Sequence, residues 1–412
     1  MTQPSSNTDA GSRQPTILYA VTIGLTAKSF LRDQFSAMLK RGYRVVLLCT
    51  PDEETAAFAR DVGVEFVPLR MKRGFLSIQD LGALAKAIVI LHRLRPDMVH
   101  FSTPKAGLLI GLASFVTRVP SRIYGMRGLR LEGERARSLR YQALRLAEYL
   151  TCKCAHTVLQ PSYSMRERST SLGLVHREKI RVLGRGSTHG VDLRRFVPAR
   201  PADRAAARRD AGLDPGALVF GFVGRIVADK GVHTLLEAFD LLPNRVRDHA
   251  RLLLVGDLEE DHGLAKETVH RIRTDPHIVT TGFIDNPDHW YRAMDVMVLP
   301  SRREGFPNVL LEAAACALPA ITTSATGCRD AVQHGVTGLI VPTDDAVRLS
   351  EAMGFLATNP NDRERMAAEA RAFVEEHYER SAVLTRTAEF LDALIRDRPG
   401  LRADDSVQGA TR

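Results

Sequence analysis

Short apolar runs alternate with segments of helical periodicity along the first half of the chain. Runs of strand length cover residues 16–22, 45–49, 64–69, 98–101, 121–125, 157–159 and 180–183. Apolar residues at helical spacing cover residues 30–39, 81–95 and 106–117. Because the strands are apolar almost throughout and alternate with helices, this pattern predicts an α/β domain whose parallel sheet is buried on both faces.

The second half repeats the alternation. Strands are predicted over residues 218–225, 251–255, 279–283, 296–299 and 320–323, and helices over residues 232–242, 286–294, 308–316, 345–356, 361–378 and 381–396. With 412 residues, the chain is long enough for two domains of about 200 residues each. We therefore interpret the Pro-, Ala- and Arg-rich stretch over residues 197–209 as a linker between them.

One strand, loop and helix unit, residues 297–319 (MVLPSRREGFPNVLLEAAACALP), carries the strongest chemical signal. A Pro-Ser pair ends the strand, a charged turn follows, and Pro307 favours a helix start. The free N–H groups of that start would lie at the carboxyl edge of the sheet, where open α/β sheets bind ligands, so we expect an anion there. Two carboxylates, Glu304 and Glu312, flank the start and could reach different parts of one long ligand. The alternatives are a solvated loop charge for Glu304 and an exposed helix residue for Glu312.

A second motif, Gly224-Arg225-x4-Lys230-Gly231, follows the first strand of the second half. Glycine lets the backbone approach a ligand, Arg225 can bind a phosphate through two N–H groups, and Lys230 adds a compact charge. The motif therefore predicts a diphosphate site. Neither the Walker pattern nor the dinucleotide pattern Gly-x-Gly-x2-Gly occurs here, which counts against nucleotide hydrolysis and NAD chemistry.

The Glu-x7-Glu spacing of Glu304 and Glu312, with Gly-Phe-Pro after the first and Leu-Leu before the second, resembles the signature of retaining glycosyltransferases of family GT4. The Gly-Arg-x4-Lys-Gly motif strengthens the resemblance, which covers nearly the whole chain. It implies the GT-B fold, with two Rossmann-like domains whose parallel sheets face a central cleft. The implied parts are an acceptor-binding domain over residues 15–196, a nucleotide-sugar-binding domain over residues 210–380, and a helix over residues 381–397 that crosses back to the first domain.

The resemblance also implies roles for individual residues. Arg225 and Lys230 would stabilise the departing diphosphate, and Glu304 would contact the transferred sugar. Glu312 would hydrogen-bond the ribose, and backbone N–H groups over residues 306–308 would hold sugar or phosphate oxygens. The expected donor-binding set is Gly224, Ile284 beside the base, Gly305, Phe306, Pro307, Asn308 and Glu312.

Three residues of the first half are predicted to bind the acceptor or phosphate groups: Gly24, Lys105 and Arg127. Gly24 ends the first predicted strand, and Lys105 follows the strand over residues 98–101. The alternative for Lys105 is a surface lysine at a helix start. Many GT4 members carry a histidine near position 127, so only a cationic role is carried over to Arg127. In relatives an asparagine usually precedes Gly-Val-Asp, where this chain has His189.

The implied reaction transfers a hexose or N-acetylhexosamine from a nucleoside-diphosphate sugar, with UDP as the expected nucleotide, to a glycan acceptor. Resemblance to the capsular and O-antigen branch implies a polyprenyl-diphosphate-linked acceptor and a role in cell-surface polysaccharide synthesis. The anomeric configuration would be retained without a carboxylate nucleophile, a metal or a cofactor. The alternatives are a GT-B nucleotide-sugar epimerase and a subunit that binds a nucleotide sugar without doing chemistry.

The chain is basic, with 57 Lys and Arg residues against 48 Asp and Glu residues and a pI of about 9.5. An anionic partner is therefore expected. Nucleic acid is disfavoured because the basic residues lack interleaved stacking aromatics. The Arg-rich amphipathic helix predicted over residues 135–153 is a candidate for contact with an anionic membrane, supported by Arg70, Lys72, Arg73 and Phe75. Its alternative is a domain helix with a solvated basic face.

No apolar run reaches the length of a membrane span, and residues 1–14 lack the apolar core of a signal peptide. The five cysteines show no Cys-x2-Cys spacing, and Cys152-x-Cys154 alone is a poor zinc motif. We therefore expect a cytoplasmic protein, peripheral on the inner membrane face, with disordered tails over residues 1–14 and 398–412.

Overall fold

The computed structural model describes residues 13–72, 74, 77–261 and 263–396. Within these residues the strands are β1 (Thr16–Ile23), β2 (Arg44–Thr50), β3 (Glu65–Pro68), β4 (Met98–Ser102), β5 (Ser121–Gly125), β6 (Thr157–Leu159), β7 (Ile180–Arg181), β8 (Leu218–Val223), β9 (Ala250–Val255), β10 (Ile278–Thr280), β11 (Val296–Leu299), β12 (Ala320–Thr323) and β13 (Gly338–Val341). They form a seven-stranded sheet in the order β3-β2-β1-β4-β5-β6-β7 and a six-stranded sheet in the order β10-β9-β8-β11-β12-β13.

The helices of the described residues are α1 (Gly24–Phe30), α2 (Arg32–Lys40), α3 (Glu53–Val62), α4 (Gln79–Leu94), α5 (Pro104–Val116), α6 (Leu139–Cys154), α7 (Tyr163–Ser171), α8 (Pro201–Asp210), α9 (Val232–Asp240), α10 (Asn244–Arg247), α11 (Lys266–Thr274), α12 (Asp288–Tyr291), α13 (Asn308–Ala315), α14 (Cys328–Ala331), α15 (Ala346–Thr358), α16 (Pro360–His377) and α17 (Arg380–Arg396). Short 3-10 turns cover Arg130–Gly133, Arg177–Lys179 and Ala228–Lys230. None of these helices is both long enough and apolar enough to cross a membrane.

Both sheets are parallel, as predicted. β1 pairs in parallel with β2 and β4, and β8 pairs in parallel with β9 and β11. Seven of the eight residues of β1 are buried, and five of the six residues of β8 are buried. Because each face of a parallel sheet is covered by helices, strands that are apolar on both faces are what this architecture needs.

Several elements differ in detail from the prediction. Most of the segment predicted as a linker, residues 197–209, is helix α8, which starts at Pro201, the favoured first helical position for proline. The predicted helix over residues 30–39 is split at Leu31 into α1 and α2. The predicted basic helix starts at Leu139, four residues later than residue 135.

The chain divides into two compact units, one formed by Met1–Tyr124, Lys153–His156 and Ala388–Arg412, the other by Gly125–Cys152 and Thr157–Thr387. The end of α17 therefore groups with the first unit, where the Tyr43 hydroxyl donates a hydrogen bond to Asp392. The predicted domain limits at residues 196 and 210 stay predictions. The predicted tails lie almost wholly outside the described residues, as do Arg73 and Phe75.

Candidate active site

A cavity of about 190 Å³ lies in the second unit. It is lined by Arg127, Gly128, Leu129, Arg225, Asp229, Lys230, Arg303, Glu304 and Gly305. These residues belong to three loops, which follow β5, β8 and β11 and which we call the 126–133, 224–231 and 300–307 loops. The structure thus brings together Arg225, Lys230 and Glu304, which the sequence analysis had assigned to one ligand.

Two glycines allow these loops to approach each other. Gly231 has a φ of +70°, and a Cβ atom there would lie 2.0 Å from the carbonyl oxygen of Pro300. At Gly305 a Cβ atom would lie 1.7 Å from the carbonyl oxygen of Arg127. Any larger residue at either position would force the loops apart, so glycine sets the width of the cavity.

Three of the cations around the cavity are paired with carboxylates. Lys230 Nζ contacts Glu304 Oε1, and Arg303 Nη2 contacts Asp229 Oδ2. Arg225 Nη1 lies 2.9 Å from Glu259 Oε2. Arg225, Lys230 and Glu304 were predicted from the sequence, whereas Arg303, Asp229, Glu259 and the pairing of the cations with carboxylates were not. The order of charges, Asp-Lys at residues 229–230 and Arg-Glu at residues 303–304, is the signal that could have revealed the first two pairs.

Glu304 is held by more than its ion pair. Its Oε1 accepts a hydrogen bond from Ser301 Oγ at 2.9 Å, and its N–H donates to the carbonyl oxygen of Thr326 at 3.0 Å. Its side chain is 13% exposed. The carboxylate is therefore fixed at the cavity wall whether or not Lys230 stays bound to it.

Arg127, which lines the cavity, and His189 differ in charge. Burial lowers the pKa of Arg127 to about 10, so its guanidinium stays charged at neutral pH. Burial, together with the positive charges of Arg380 and Arg127, lowers the pKa of His189 to about 4. His189 is therefore neutral, and Asn308 Nδ2 lies 3.1 Å from its Nδ1.

Glu312 does not line the cavity. Its Oε2 accepts a hydrogen bond from the Tyr291 hydroxyl at 2.7 Å. Burial raises the pKa of Glu312, although the Tyr291 hydrogen bond and the charge of Arg195 act in the opposite direction. The structure thus places the two predicted carboxylates in different surroundings, with Glu304 in the cavity and Glu312 beside Tyr291.

The other predicted donor-binding residues have mainly structural contacts. Phe306 is buried, with its ring 5.6 Å from that of Tyr378. Asn308 Oδ1 accepts a hydrogen bond from Ser187 Oγ at 3.1 Å. Ile284 packs against the core, and Gly224 adopts a φ of +145°. The predicted row of N–H donors over residues 306–308 needs correction, because Pro307 has no N–H group and lies one position before α13.

Two predicted acceptor residues lie in the first unit. A Cβ atom at Gly24 would lie 1.6 Å from Thr55 Oγ1, so this glycine is needed for close packing. Lys105 is buried, and its Nζ lies 2.9 Å from Asp80 Oδ2, so it is not the surface lysine of the alternative interpretation. Burial alone would raise the pKa of Asp80, but hydrogen bonds from Lys105 and Ser77 hold it below its usual value. Lys105 thus already has an anionic partner inside the protein.

In the part of the chain that the structure describes, no group of three or more His, Cys, Asp or Glu side chains is arranged to hold a metal ion. The expectations that neither a metal nor a cofactor is needed stay predictions.

Comparisons with known proteins identify the family of the chain. Residues 27–186 match the sequence profile of the glycosyl transferase 4-like domain, and residues 203–373 match that of glycosyl transferases group 1. The capsular polysaccharide biosynthesis glycosyltransferase CapM of Staphylococcus aureus is 30% identical over 384 residues, covering 93% of this chain and 98% of CapM. A D-inositol 3-phosphate glycosyltransferase of Pseudarthrobacter chlorophenolicus is 37% identical over 185 residues, covering 44% of this chain and 43% of that protein.

Among solved structures, Anabaena HepE in complex with UDP and glucose superposes with a TM-score of 0.74 at 20% identity, covering 92% of this chain and 99% of HepE. This likeness confirms the predicted fold. Together with the CapM relationship over nearly the whole length of both chains, it leads to one conclusion: the chain belongs to the group 1 glycosyltransferases of family GT4, which have the GT-B fold.

Proposed function

We propose that this glycosyltransferase moves a hexose or N-acetylhexosamine from a UDP-sugar to a lipid-linked glycan, with retention of the anomeric configuration, during synthesis of a cell-surface polysaccharide. The observation that carries the proposal is the cavity in which Arg225, Lys230 and Glu304 meet. The relationship to CapM, a capsular polysaccharide glycosyltransferase, supports the pathway, and the UDP complexes of HepE support the nucleotide.

The charge of the cavity suits a diphosphate. Its lining holds four cationic side chains, Arg127, Arg225, Lys230 and Arg303, and two carboxylates, Asp229 and Glu304. The lining thus carries two excess positive charges, and Glu259, which pairs with Arg225 from outside the lining, reduces the local excess to one. A diphosphate bridge carries two negative charges, so the positive excess favours it over a neutral sugar.

Lys230 and Arg225 would stabilise the leaving group. An ammonium has three N–H donors, and Lys230 uses one for Glu304, so two remain for phosphate oxygens. As the glycosidic bond to the diphosphate breaks, negative charge grows on its terminal oxygen, and fixed cations nearby lower the barrier. The same phosphate oxygen would take the proton of the acceptor hydroxyl as it attacks from the same face of the sugar.

Glu304 and the start of α13 would hold the rest of the donor. Glu304, fixed by Ser301, would accept hydrogen bonds from sugar hydroxyls. The first N–H groups of α13, at Asn308 and Val309, have no acceptor within the helix and could bind anionic oxygens. Glu312, which already accepts a hydrogen bond from the Tyr291 hydroxyl, would accept further hydrogen bonds from the ribose hydroxyls.

The test combines donor screening with two variants. Purified protein is incubated with a panel of nucleotide sugars and an acceptor, and released nucleoside diphosphate is measured. Lys230→Ala and Glu304→Ala should each lower turnover about a hundredfold, the loss typical of removing a preorganised electrostatic group. Arg302→Gln is the matched control, because Arg302 pairs with Asp344 at 2.6 Å and does not line the cavity.

Full turnover by both variants would refute this site. A subunit that only binds nucleotide sugars would retain labelled donor without transferring it. An epimerase would convert the donor to its epimer in the absence of any acceptor. Each alternative thus gives a product pattern that the transferase does not.

Helix α6 supports the membrane part of the proposal. Leu139, Leu146 and Leu150 are 91%, 58% and 36% exposed, whereas Glu148 and Thr151 on the same helix are buried. This is the reverse of an ordinary surface helix, whose leucines point inward. An exposed apolar stripe beside basic residues fits the surface of an anionic bilayer, where a lipid-linked acceptor would lie.

Vesicle flotation would test this contact. With vesicles containing an anionic phospholipid, Leu139→Gln with Leu146→Gln should reduce co-flotation at least several-fold, since about two apolar side chains of membrane burial are lost. Val347→Gln is the control, because Val347, at 57% exposure, is as accessible as Leu146 but lies on α15. Equal flotation of the α6 variant and the control would exclude α6 as the contact.

A further inference from the structure

Two loops along the cavity are joined by two ion pairs, because their charged residues occur in opposite order along the chain. Residues 229–230 carry a negative charge followed by a positive one, and residues 303–304 carry the reverse. Asp229 therefore pairs with Arg303 while Lys230 pairs with Glu304. The N–H of residue 302 also donates to the carbonyl oxygen of Asp229 at 2.9 Å. The 224–231 loop and the 300–307 loop are thus linked at three points within a few residues.

The two ion pairs are not equivalent. Lys230 can bind a ligand and still contact Glu304, because its ammonium has three donors and its side chain is 22% exposed. The Arg303 side chain is 30% exposed, but one side of its guanidinium lies against Gly133. A Cβ atom at Gly133 would lie 3.0 Å from Arg303 Nε and 3.3 Å from Arg303 Cζ, so Gly133 leaves just enough room for the guanidinium.

Arg303 therefore connects all three loops of the cavity. It packs on Gly133 of the 126–133 loop, pairs with Asp229 of the 224–231 loop, and itself belongs to the 300–307 loop. Its Nε is buried and finds no acceptor among the described residues. A buried donor without an acceptor is costly, and such a group in a native structure calls for a structural or functional reason.

We propose that Asp229 and Arg303 are positioning residues, whose pair sets the distance between the loops so that Lys230 can bind the diphosphate while it remains hydrogen-bonded to Glu304. This inference rests on the function proposed above. It adds two residues that act through Lys230 and Glu304 and need not touch the donor. Without the pair, the loops are joined by the backbone hydrogen bond from residue 302 to Asp229 and by the Lys230–Glu304 contact, which the ligand itself must share.

UDP binding by isothermal titration calorimetry tests the inference on the full chain. Asp229→Asn and Arg303→Gln should each weaken UDP binding about tenfold. This is less than the hundredfold loss of reaction rate that a 1 Å misplacement can cause. The double variant should be no weaker than either single variant, because both changes remove one pair. Arg303→Lys, which keeps the charge, should recover part of the loss. Thermal midpoints should change by no more than about 3 °C, since pairs this exposed add little stability.

Gly133→Ala supplies an independent test. Arg303 supplies all three of the heavy atoms closest to the added methyl group, so the substitution disturbs the guanidinium first. It should weaken UDP binding in the wild-type background and have no further effect together with Arg303→Ala. Arg302→Gln, on the neighbouring residue, should bind UDP like the wild type.

The outcomes separate this inference from the proposed function. Additive losses in the double variant, or wild-type UDP affinity in Asp229→Asn, would overturn the positioning role. If Lys230→Ala also kept wild-type affinity and turnover, the diphosphate site itself would be wrong. If Lys230→Ala lost activity while Asp229→Asn did not, only the positioning role would fail.

Discussion

Gly305→Ala tests whether the spacing of the cavity loops controls activity. The substitution adds one methyl group, which would lie 1.7 Å from the carbonyl oxygen of Arg127 and 2.7 Å from its carbonyl carbon. These are backbone atoms and cannot rotate away. Ordinary carbon–oxygen contacts are about 3.3 Å or longer, so one loop must move by about 1.5 Å. The carbonyl oxygen of Gly305, held by Ser162 Oγ at 2.8 Å, makes that movement harder.

A shift of this size would move Glu304, the residue before Gly305, relative to Arg127 across the cavity. Since a misplacement of about 1 Å can cost about a hundredfold in rate, kcat/KM for the donor should fall by at least that factor. The assay is release of nucleoside diphosphate under single-donor conditions, with circular dichroism to verify folding.

Gly354→Ala is the control for the same chemical change elsewhere. Gly354 lies inside α15, where a Cβ atom would be 3.9 Å from its nearest neighbour, Leu242 Cδ2. Alanine favours a helix interior by about 1 kcal/mol over glycine, so this variant should be active and slightly more stable. A folded Gly305→Ala protein with wild-type kcat/KM would refute the reasoning, because the loops would then have moved without consequence.

Three further changes test the surrounding structure. Burial raises the pKa of Glu312, so the native state binds the carboxyl proton more tightly than the unfolded chain does. The stability of the native state therefore falls as pH rises above about 4.5 and Glu312 loses this proton. Glu312→Gln should raise the thermal midpoint at pH 7.5 but not at pH 4. Lys105→Ala leaves Asp80 buried without its ion pair and should cost about 3–5 kcal/mol in urea unfolding, whereas Lys105→Met with Asp80→Leu should recover most of it. Asp295→Ala removes the acceptor of Arg208 at 2.7 Å and should cost a similar amount.

The fold could be predicted where local signals were strong. The bounds of β11 and β12 were predicted correctly because an apolar run in each case meets a proline or a polar turn. Helix α11 was missed because only three of its nine residues are buried and most of the others are charged or polar. Helix α8 was mistaken for a linker because its alanines and arginines lack an apolar stripe. It is held instead by tertiary contacts such as that of Arg208 with Asp295, 87 residues away.

The site could be predicted as a set of residue types but not as a set of contacts. The charges at residues 225, 230 and 304 belong to local motifs, and the structure does place them around one cavity. The partners depend on loops that are distant in sequence: Lys230 and Glu304 are separated by 74 positions, as are Asp229 and Arg303. The burial of Lys105 follows likewise from Asp80, 25 positions away on another helix. No periodicity in a single segment contains that information.

Two energetically unfavourable groups lie in different surroundings. Arg303, in the cavity lining, carries a buried Nε without an acceptor among the described residues, and Glu312, beside Tyr291, keeps a carboxylate whose pKa is raised by burial. Each of the two lowers the stability of the protein, and such groups persist where the surrounding structure enforces them for function. If the function proposed above holds, ribose hydroxyls would donate hydrogen bonds to Glu312, so binding of the donor would offset part of the cost of burying this carboxylate.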